Sequence, residues 1–491
     1  MRLRHPSPVH VALWVLAALA ALLVVGFLAL GRGGGIAGGR LGRIARLSRL
    51  SARLSASWLG AKIRRLFARG ERRVALDAAA RTVAAERVAR EMGQMKGAIM
   101  KLGQMMSFVS DDIPAEYRTA LASLQHAAPP MAFPLVRDVA ERELGMPLER
   151  AFARFDSEPL AAASIGQVHR AALADGTEVV VKIQYPGVAE AIRADLANAG
   201  MLYQMMGMFY PALDPKPVVD ELRTRLTEEL DYVNEARSQG EFAAIYADHP
   251  FIRIPRVIAS HSTSRVLTSE YIAGRRFAEI LADPTADKNR WAEILYRFVF
   301  GSIIRHGVFN GDPHPGNYLF DAEGRVAFLD FGCVKWFPAG MMANWQALVR
   351  AHLAGERDLF RARAVALGFL IESSPIDADK LFAYFGYFYE PFEAPGPFTF
   401  SREYNQKSFK MVFAPDGEFR GMSKQLNMPP DFVLVNRIQW GVWSIFAQLA
   451  ACGDWAAIHR EFLDGAPPST ELGRIDAAWA EKRRSGGAAA R

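Results

Sequence analysis

The sequence is poor in cysteine and has no large excess of either charge. Its 491 residues contain two cysteines, Cys333 and Cys452. Two are too few for a disulfide scaffold or a four-cysteine zinc site, and we expect the domain that carries them to lie in a reducing compartment. With 51% apolar and 23% charged residues, the chain is neither mainly disordered nor fibrous, and its length suggests roughly two to four domains.

The net charge of +7 conceals a strongly basic head. Residues 1–75 contain 14 basic side chains and a single acid, Glu71, which leaves the rest of the chain at −6. A basic body would indicate a nucleic-acid partner, whereas a basic head beside an apolar segment indicates a membrane. We therefore predict an anionic membrane surface as a partner and no nucleic acid.

The apolar segment is residues 11–31, which carry no charge and are long enough for one transmembrane helix. A retained anchor over residues 9–31 is favoured over a cleaved signal peptide, because the apolar core is long and no clear A-x-A site precedes the basic stretch. Basic residues are far more numerous after the segment than before it. The positive-inside rule therefore predicts a single-pass protein of the cell membrane with a cytoplasmic body.

Residues 32–75 are predicted to be a glycine linker followed by a basic amphipathic segment. On a helix, the apolar residues of this segment would share an arc of about 120°. They are Ile44, Leu47, Leu50, Leu54 and Trp58. Two interpretations stay open: a helix lying on an anionic leaflet, or a surface helix packed on the body.

The pattern of the remaining chain predicts a helical part, then strands, then mainly helix. Residues 74–125 have few helix breakers, and Gly145 is expected to end a further helix. Apolar patterns and turn residues predict the later strands and helices. We expect short strands at 164–169, 170–174, 178–183 and 265–272, a long helix over 216–240, a hairpin at 318–330, and a packed helix at 442–452.

Three local patterns suggest phosphoryl-transfer chemistry when they are taken together. Lys182 ends an apolar strand, and a carboxylate on a nearby helix would let it reach nucleotide phosphates; we expect Glu229 to hold it, with Asp231 as the other candidate. Asp312 and Asn317 lie five apart in a loop rich in Pro and Gly. Asp330, followed by Phe-Gly, comes thirteen residues after Asn317. This spacing is typical of the catalytic loop and magnesium-binding Asp of protein kinases.

In this order the motifs resemble the UbiB/AarF family of atypical protein-kinase-like proteins. The resemblance covers roughly residues 90–345 and includes a K-x-G-Q motif at Lys101–Gln104 and an alanine-rich loop at 161–163 in place of a glycine-rich one. It implies an α+β, bilobal protein-kinase-like fold that follows an N-terminal helical extension and the single transmembrane helix. The domains would be the extension at 76–150, an N-lobe at 151–275, a C-lobe at 276–435 and C-terminal helices and tail at 436–491.

The resemblance also implies ATP and Mg²⁺ as cofactors and a set of site residues. The catalytic residues would be Asp312, Lys182, Glu229, Lys101 and Gln104. The nucleotide would contact Ala161, Ala162, Ala163, Ser164, Lys182, Asp231 and, in the segment that joins the lobes, Glu270. The magnesium ligands would be Asn317 and Asp330. In this family the K-x-G-Q extension lies over the site where a protein substrate would dock.

Three functions fit these observations. The first is a membrane-anchored kinase-like ATPase that acts on, or assists access to, a membrane lipid or quinone precursor and supports quinone or other lipid biosynthesis, with proteins of that biosynthesis as further partners. The second is a true lipid or small-molecule kinase. The third is a nucleotide-binding scaffold, although intact Lys182, Asp312, Asn317 and Asp330 argue against it. Several relatives carry hydrophobic helices at the C-terminus, whereas the apolar segment of this chain is N-terminal.

Overall fold

The computed structural model describes residues 131–489, except for 164, 197–222, 225–226, 414–418, 420–421, 423–425 and 428. The predicted transmembrane helix at 9–31, the basic segment at 32–75 and the K-x-G-Q motif lie outside the described residues. So does Ser164 of the alanine-rich loop.

The N-lobe is built on an antiparallel sheet of four strands in the order β1-β2-β3-β5. These strands are β1 Arg154–Ala162, β2 Gly166–Ala172, β3 Glu178–Gln184 and β5 Val266–Glu270, with β4 Ile252–Arg253 belonging to a second sheet. Strand β3 alternates in burial, so that Val179, Val181 and Ile183 are fully buried and Lys182 points to the other face. The predicted strands near 178–183 and 265–272 are confirmed, while those at 164–169 and 170–174 form one strand, β2.

Several helices of the described residues accompany this sheet. Helix α1, Phe133–Leu144, packs its buried face on β3 and ends at Gly145 in the left-handed conformation, as the sequence predicted. The others are the one-turn helix α2, Leu148–Ala151, and helix α3, Val188–Leu196.

Helix α4, Tyr232–Ile245, carries part of the candidate site. Asp231 caps it, because its side chain accepts a hydrogen bond from the backbone N–H of Val233. The predicted continuous helix over 216–240 is therefore wrong in one respect: residues 229–231 are not helical. The buried face of α4 has the spacing of one side of a helix and consists of Tyr232, Glu235, Gln239 and Phe242.

The C-lobe combines small sheets with a large helical core. One sheet has the order β4-β9-β8-β6, and a second pairs β7 with β10. The strands are β6 Arg275–Arg276, β7 Val308–Asn310, β8 Tyr318–Phe320, β9 Val326–Phe328 and β10 Val334–Trp336. Strands β8 and β9 pair antiparallel, which confirms the predicted hairpin. The first helices of this lobe are α5 Phe277–Ala282 and α6 Lys288–His306.

The remaining helices complete the core around α6. They are α7 Ala339–Leu353, α8 Arg357–Ala366, α9 Ala378–Glu393, α10 Arg402–Phe413, α11 Pro430–Leu449, α12 Trp455–Leu463 and α13 Glu471–Ala489, with a short ladder of β11 Phe398–Thr399 and β12 Cys452–Gly453. Val442, Trp443, Ile445 and Phe446 of α11 are buried, so the packed helix predicted near 442–452 is confirmed. In the described part of the chain, no helix is both long and apolar enough to cross a membrane.

Candidate active site

Lys182 lies at the centre of a cluster of carboxylates between the two lobes. Its Nζ donates to both carboxylate oxygens of Glu235, at 2.7 and 2.9 Å, and to Oδ2 of Asp330 at 3.2 Å. The side chains of Glu235 and Lys182 are 4% and 17% exposed. Strand β3, helix α4 and the segment after β9 therefore meet at one ammonium group.

The expected pairing of Lys182 with Glu229 is wrong, because Glu235 takes that place. The chain leaves helical geometry at 229–231, and the cap at Asp231 starts α4 so that Glu235 falls one turn later on the buried face. Glu229 still lies close by: a Cβ on Gly332 would come within 3.8 Å of its Cγ and 3.5 Å of Oε2 of Glu235. Glu235 shares a helix face with the apolar residues Tyr232 and Phe242, and this spacing was the signal that could have identified it.

Asp330 follows β9 and is fixed by its own turn. Its Oδ1 accepts a hydrogen bond from the backbone N–H of Gly332 at 3.0 Å, while its Oδ2 faces Lys182. Phe331 is buried, and its ring lies 5.0 Å from that of Phe242 on α4. The Asp-Phe-Gly segment thus contacts the helix that supplies Glu235.

The loop with Asp312 and Asn317 is joined to the same segment. The Nδ2 of Asn317 donates to the backbone carbonyl of Asp312 at 3.1 Å, and the backbone N–H of Leu329 donates to the carbonyl of Asn317 at 3.0 Å. No described residue donates a hydrogen bond to Oδ1 of Asn317, so this oxygen can face a cation. The structure therefore places Asn317 next to the segment that carries Asp330, the other predicted magnesium ligand.

Asn310, which the sequence did not indicate, connects these two parts of the site. It ends β7, its Oδ1 accepts from the backbone N–H of Asp312 at 3.2 Å, and its Nδ2 donates to the carbonyl of Asp330. The next residue, Gly311, donates its N–H to the carbonyl of Cys333 at 2.5 Å. Such side-chain to backbone bonds depend on which loops meet in three dimensions, and a single sequence does not show that.

The alanine-rich segment ends β1 rather than forming a separate loop. Ala161 and Ala162 pair with β2, and the N–H of Ala163 donates to the carbonyl of Gly166 at 2.9 Å. A Cβ at Gly166 would lie 2.3 Å from the carbonyl oxygen of Ile183, so this close crossing requires glycine. The predicted nucleotide contacts of the three alanines stay predictions.

Two other predicted nucleotide contacts have structural partners. The carboxylate of Asp231 accepts from Val233 as the cap of α4, and that of Glu270 forms an ion pair with Arg253 at 2.5 Å. Glu270 ends β5 and lies within residues 266–274, the predicted connection between the lobes. A role of this segment in binding adenine would thus fall to its backbone.

Among the described residues, the carboxylates of this cluster outnumber its positive charges. Burial opposes the charge of Lys182, but Asp330 and Glu235 outweigh it and raise the pKa of the ammonium well above its usual value. Burial raises the pKa of Glu235 to about 7, although Lys182 acts in the opposite direction. One ammonium group thus faces two carboxylates that are bonded to it directly. The charge of Glu229 also raises the pKa of Glu235.

The oxygen atoms of this site fit a magnesium ion that takes most of its ligands from phosphates. Among the described residues, no group of three His, Cys, Asp or Glu side chains is arranged to hold a metal by itself. Mg²⁺ prefers oxygen ligands and is commonly bound by one or two protein oxygens together with substrate phosphates and water. The carboxylate of Asp330 and the amide oxygen of Asn317 match that requirement, and the excess of carboxylates over positive charges among the described residues favours a cation there.

A small strand lobe, a larger helical lobe and this inter-lobe cluster define a protein-kinase-like fold. Residues 123–358 match the ABC1 atypical kinase-like domain. The chain is 31% identical over 287 residues to the mitochondrial atypical kinase COQ8 of Saccharomyces cerevisiae. The aligned region covers 58% of this chain and 57% of that protein. The chain is also 31% identical over 325 residues to the mitochondrial atypical kinase COQ8B of Rattus norvegicus, which is 64% of this chain and 60% of that protein.

A solved structure extends the likeness over more of the chain. It is described as the complex of Rv3197 with erythromycin from Mycobacterium tuberculosis. It is 33% identical with a TM-score of 0.57, covering 75% of this chain and 93% of that one. The chain belongs to the ABC1 family of atypical kinase-like proteins, which confirms the resemblance to UbiB/AarF proteins. It spans 57 to 60% of the length of the two COQ8 relatives.

Proposed function

We propose that this protein is a Mg·ATP-binding, kinase-like ATPase anchored in a membrane, where it supports the synthesis or homeostasis of a quinone or another membrane lipid. The observation that carries the proposal is the bonding of Lys182 to Glu235 and Asp330 at once. Such an arrangement aligns the lysine for phosphates and places a carboxylate beside it for the metal.

Each residue of the site has a separate role in this proposal. Lys182, oriented by Glu235, would donate hydrogen bonds to nucleotide phosphates, while Asp330 and Asn317 would hold Mg²⁺. Bound Mg²⁺ would neutralise phosphate oxygens as charge develops on them. Asp312, held through Asn310 and Asn317, would accept the proton of an attacking water or hydroxyl group.

The membrane part of the proposal comes from the sequence. The uncharged segment at 11–31 and the basic head would hold the body at the cytoplasmic leaflet of the cell membrane. Family membership supports a lipid or quinone precursor, and proteins that make it, as the partners. By the same resemblance, Lys101 and Gln104 would cover the nucleotide site and exclude polypeptide substrates.

The experiment measures phosphate release and phosphate transfer side by side. Full-length protein is incubated with γ-labelled ATP and Mg²⁺, with and without anionic vesicles, and extracted lipids are tested for label. We expect vesicle-stimulated phosphate release without labelled lipid, and loss of release in Asp312→Asn and Asp330→Asn. Labelled lipid would instead identify a lipid kinase, and nucleotide binding without either product would contradict an enzymatic role.

A further inference from the structure

A cleft of about 950 Å³ lies at the opposite end of α4 from Glu235. Its walls are the end of α4 with Ala244 and Ile245, the end of α6 with Arg305 and His306, the loop at 465–468, and helix α13. Ten residues of helix separate Glu235 from Ile245, or about 15 Å along the axis. The cleft is therefore distinct from the candidate nucleotide site.

The lining combines apolar surface with cationic groups. Alanine, isoleucine, proline and tryptophan side chains form most of the wall, and Arg305, Arg483 and Arg484 supply positive charge. The one acidic side chain in the lining, Glu461, is already bonded to Arg297 and to Ser469. This combination is typical of small-molecule sites, where a few polar groups orient a mainly apolar ligand.

Two of the arginines have no carboxylate partner among the described residues. Arg483 donates to the backbone carbonyls of Ala244 at 3.0 Å and Ala247 at 3.3 Å, at the end of α4. Arg484 makes no hydrogen bond or ion pair within the described part of the chain, whereas Arg305 is paired with Asp476 at 2.9 Å. Burial, together with Arg305 and Arg483, lowers the pKa of His306, which is consistent with a positive potential in the cleft.

The wall is rigid before any ligand arrives. The indole N–H of Trp479 donates to the carbonyl of Ala247 at 3.0 Å, and its ring stacks on Tyr246 at 6.1 Å and meets His249 at 4.3 Å. The guanidinium of Arg483 lies 5.4 Å from the centre of the Trp479 ring. A preorganised wall lowers the ordering cost of binding.

We propose that this cleft binds an amphipathic phosphate, meaning a phosphate ester with an apolar chain. The phosphate would bind Arg484 and Arg483, since guanidinium groups form charge-assisted, often bidentate, bonds with phosphate. The chain would lie along Trp479, Ala480 and the proline loop. A membrane lipid headgroup and a soluble alkyl phosphate share this chemistry. The proposal does not depend on nucleotide binding at Lys182.

The test uses hexyl phosphate as the probe and the full-length protein. Binding is followed by calorimetry in wild type, in Arg484→Gln and in the control Arg474→Gln, which removes the same charge from an exposed position of the same helix outside the cleft. We expect one site, an affinity about tenfold lower in Arg484→Gln, and no change in Arg474→Gln. Thermal melting of each variant confirms that it is folded.

One further ligand and one further variant examine the apolar part. Inorganic phosphate should bind at least about tenfold more weakly than hexyl phosphate, because each buried methylene contributes about 0.8 kcal/mol. Ala480→Leu, which keeps every charge and narrows the cleft, should weaken hexyl phosphate and leave inorganic phosphate unchanged. Equal affinity for the two phosphates would overturn the amphipathic site. Absence of hexyl phosphate binding, or an equal response of Arg484→Gln and Arg474→Gln, would overturn the cleft as the location.

The source of the phosphate is distinguished by competition. Phosphorus NMR follows release of bound hexyl phosphate when vesicles of phosphatidic acid in phosphatidylcholine are added. Release by these vesicles, but not by phosphatidylcholine alone, supports the site with a lipid as its source. Retention of hexyl phosphate supports the site with a soluble phosphate ester as its source.

Discussion

Two clusters of buried charge in this protein differ in the ratio of carboxylates to positive charges among the described residues. The inter-lobe cluster contains Lys182, Glu235 and Asp330. The C-terminal cluster joins α6 to α12 and α13, and its hydrogen-bonded members are Glu293, Arg297, Arg305, Glu461, Asp476, His249, Ser469 and Thr470. In the second cluster, each carboxylate accepts from two or more groups, including forked guanidinium donors.

The pKa values show the consequence. Taken alone, burial acts to raise the pKa of both Glu235 and Asp476. At Asp476 the bond from His249 and the charge of Arg305 outweigh burial, so its pKa is lowered; at Glu235 the single Lys182 does not, and the pKa is about 7. The C-terminal cluster holds the helices together, whereas in the inter-lobe cluster the carboxylates outnumber the positive charges of the described residues, which favours a metal ion there.

The largest expected effect is a loss of stability when the C-terminal cluster is broken. Arg297→Met leaves Glu293 and Glu461 buried without their shared guanidinium, and removal of one partner from such a network costs about 3–5 kcal/mol. Urea unfolding should show this loss. The control Arg350→Met breaks an exposed pair with Asp464, whose side chains are 46% and 45% exposed, and should cost less than about 1 kcal/mol. Equal losses would remove the distinction between buried and exposed pairs.

The next effect separates activity from stability at the inter-lobe cluster. Glu235→Gln should lower phosphate release by about 100-fold, because Lys182 loses its orienting charge. Stability should change by less than about 1 kcal/mol, since the change relieves excess negative charge in the cluster. Glu241→Gln, on an outer position of the same helix, is the control.

A double mutant sharpens the same prediction. Lys182→Met combined with Glu235→Gln should be no worse than the worse single change, because the two act as a unit. If Glu235→Gln destabilises the fold as strongly as Arg297→Met, the two clusters are alike and the comparison fails. Additive losses would show that Lys182 and Glu235 act separately.

A smaller effect appears on acidification and belongs to the C-terminal region. His459 lies beside the C-terminal cluster, bonded to the hydroxyl of Tyr296 at 2.6 Å and stacked on Phe392, and burial lowers its pKa to about 4. The imidazole binds a proton near pH 6.5 in the unfolded chain but only near pH 4 in the folded protein. The contribution of His459 to the free energy of unfolding is therefore fully present above pH 6.5 and falls as the pH approaches 4. At pH 5 the loss should be about 2 kcal/mol.

Unfolding by urea at pH 7 and pH 5 measures this loss in wild type and in His459→Gln. The variant should be less stable at pH 7 but should lose less on acidification, because the buried imidazole is gone. An identical fall in both proteins would assign the acid sensitivity to other groups.

The sequence predicted the parts of the site that are local motifs. Lys182, Asp312, Asn317 and Asp330 lie in the region expected for them, because each follows a strand or loop with a recognisable pattern. Glu235 and Asn310 were missed, since their roles depend on where α4 begins and on which loops meet.

The fold shows the same division. The hairpin of β8 and β9 and the helix end at Gly145 could be predicted from turn and capping residues. Strand β1 could not, because it is an edge strand that contains Pro159 and a register irregularity and has little inward-outward alternation. The C-terminal cluster joins residues more than 160 positions apart, such as Arg297 and Glu461, and no local pattern in the sequence reports such a contact.

The most direct test of the inter-lobe cluster as a metal site is the Mg²⁺ dependence of nucleotide binding. Calorimetry with a non-hydrolysable ATP analogue, with and without Mg²⁺, compares wild type with Asp330→Asn. The account predicts Mg²⁺-dependent binding in wild type and the loss of most of that dependence in the variant, because the charged ligand of the metal is gone. Equal Mg²⁺-dependent binding by the two proteins would contradict the assignment of Asp330 and the account of the cluster.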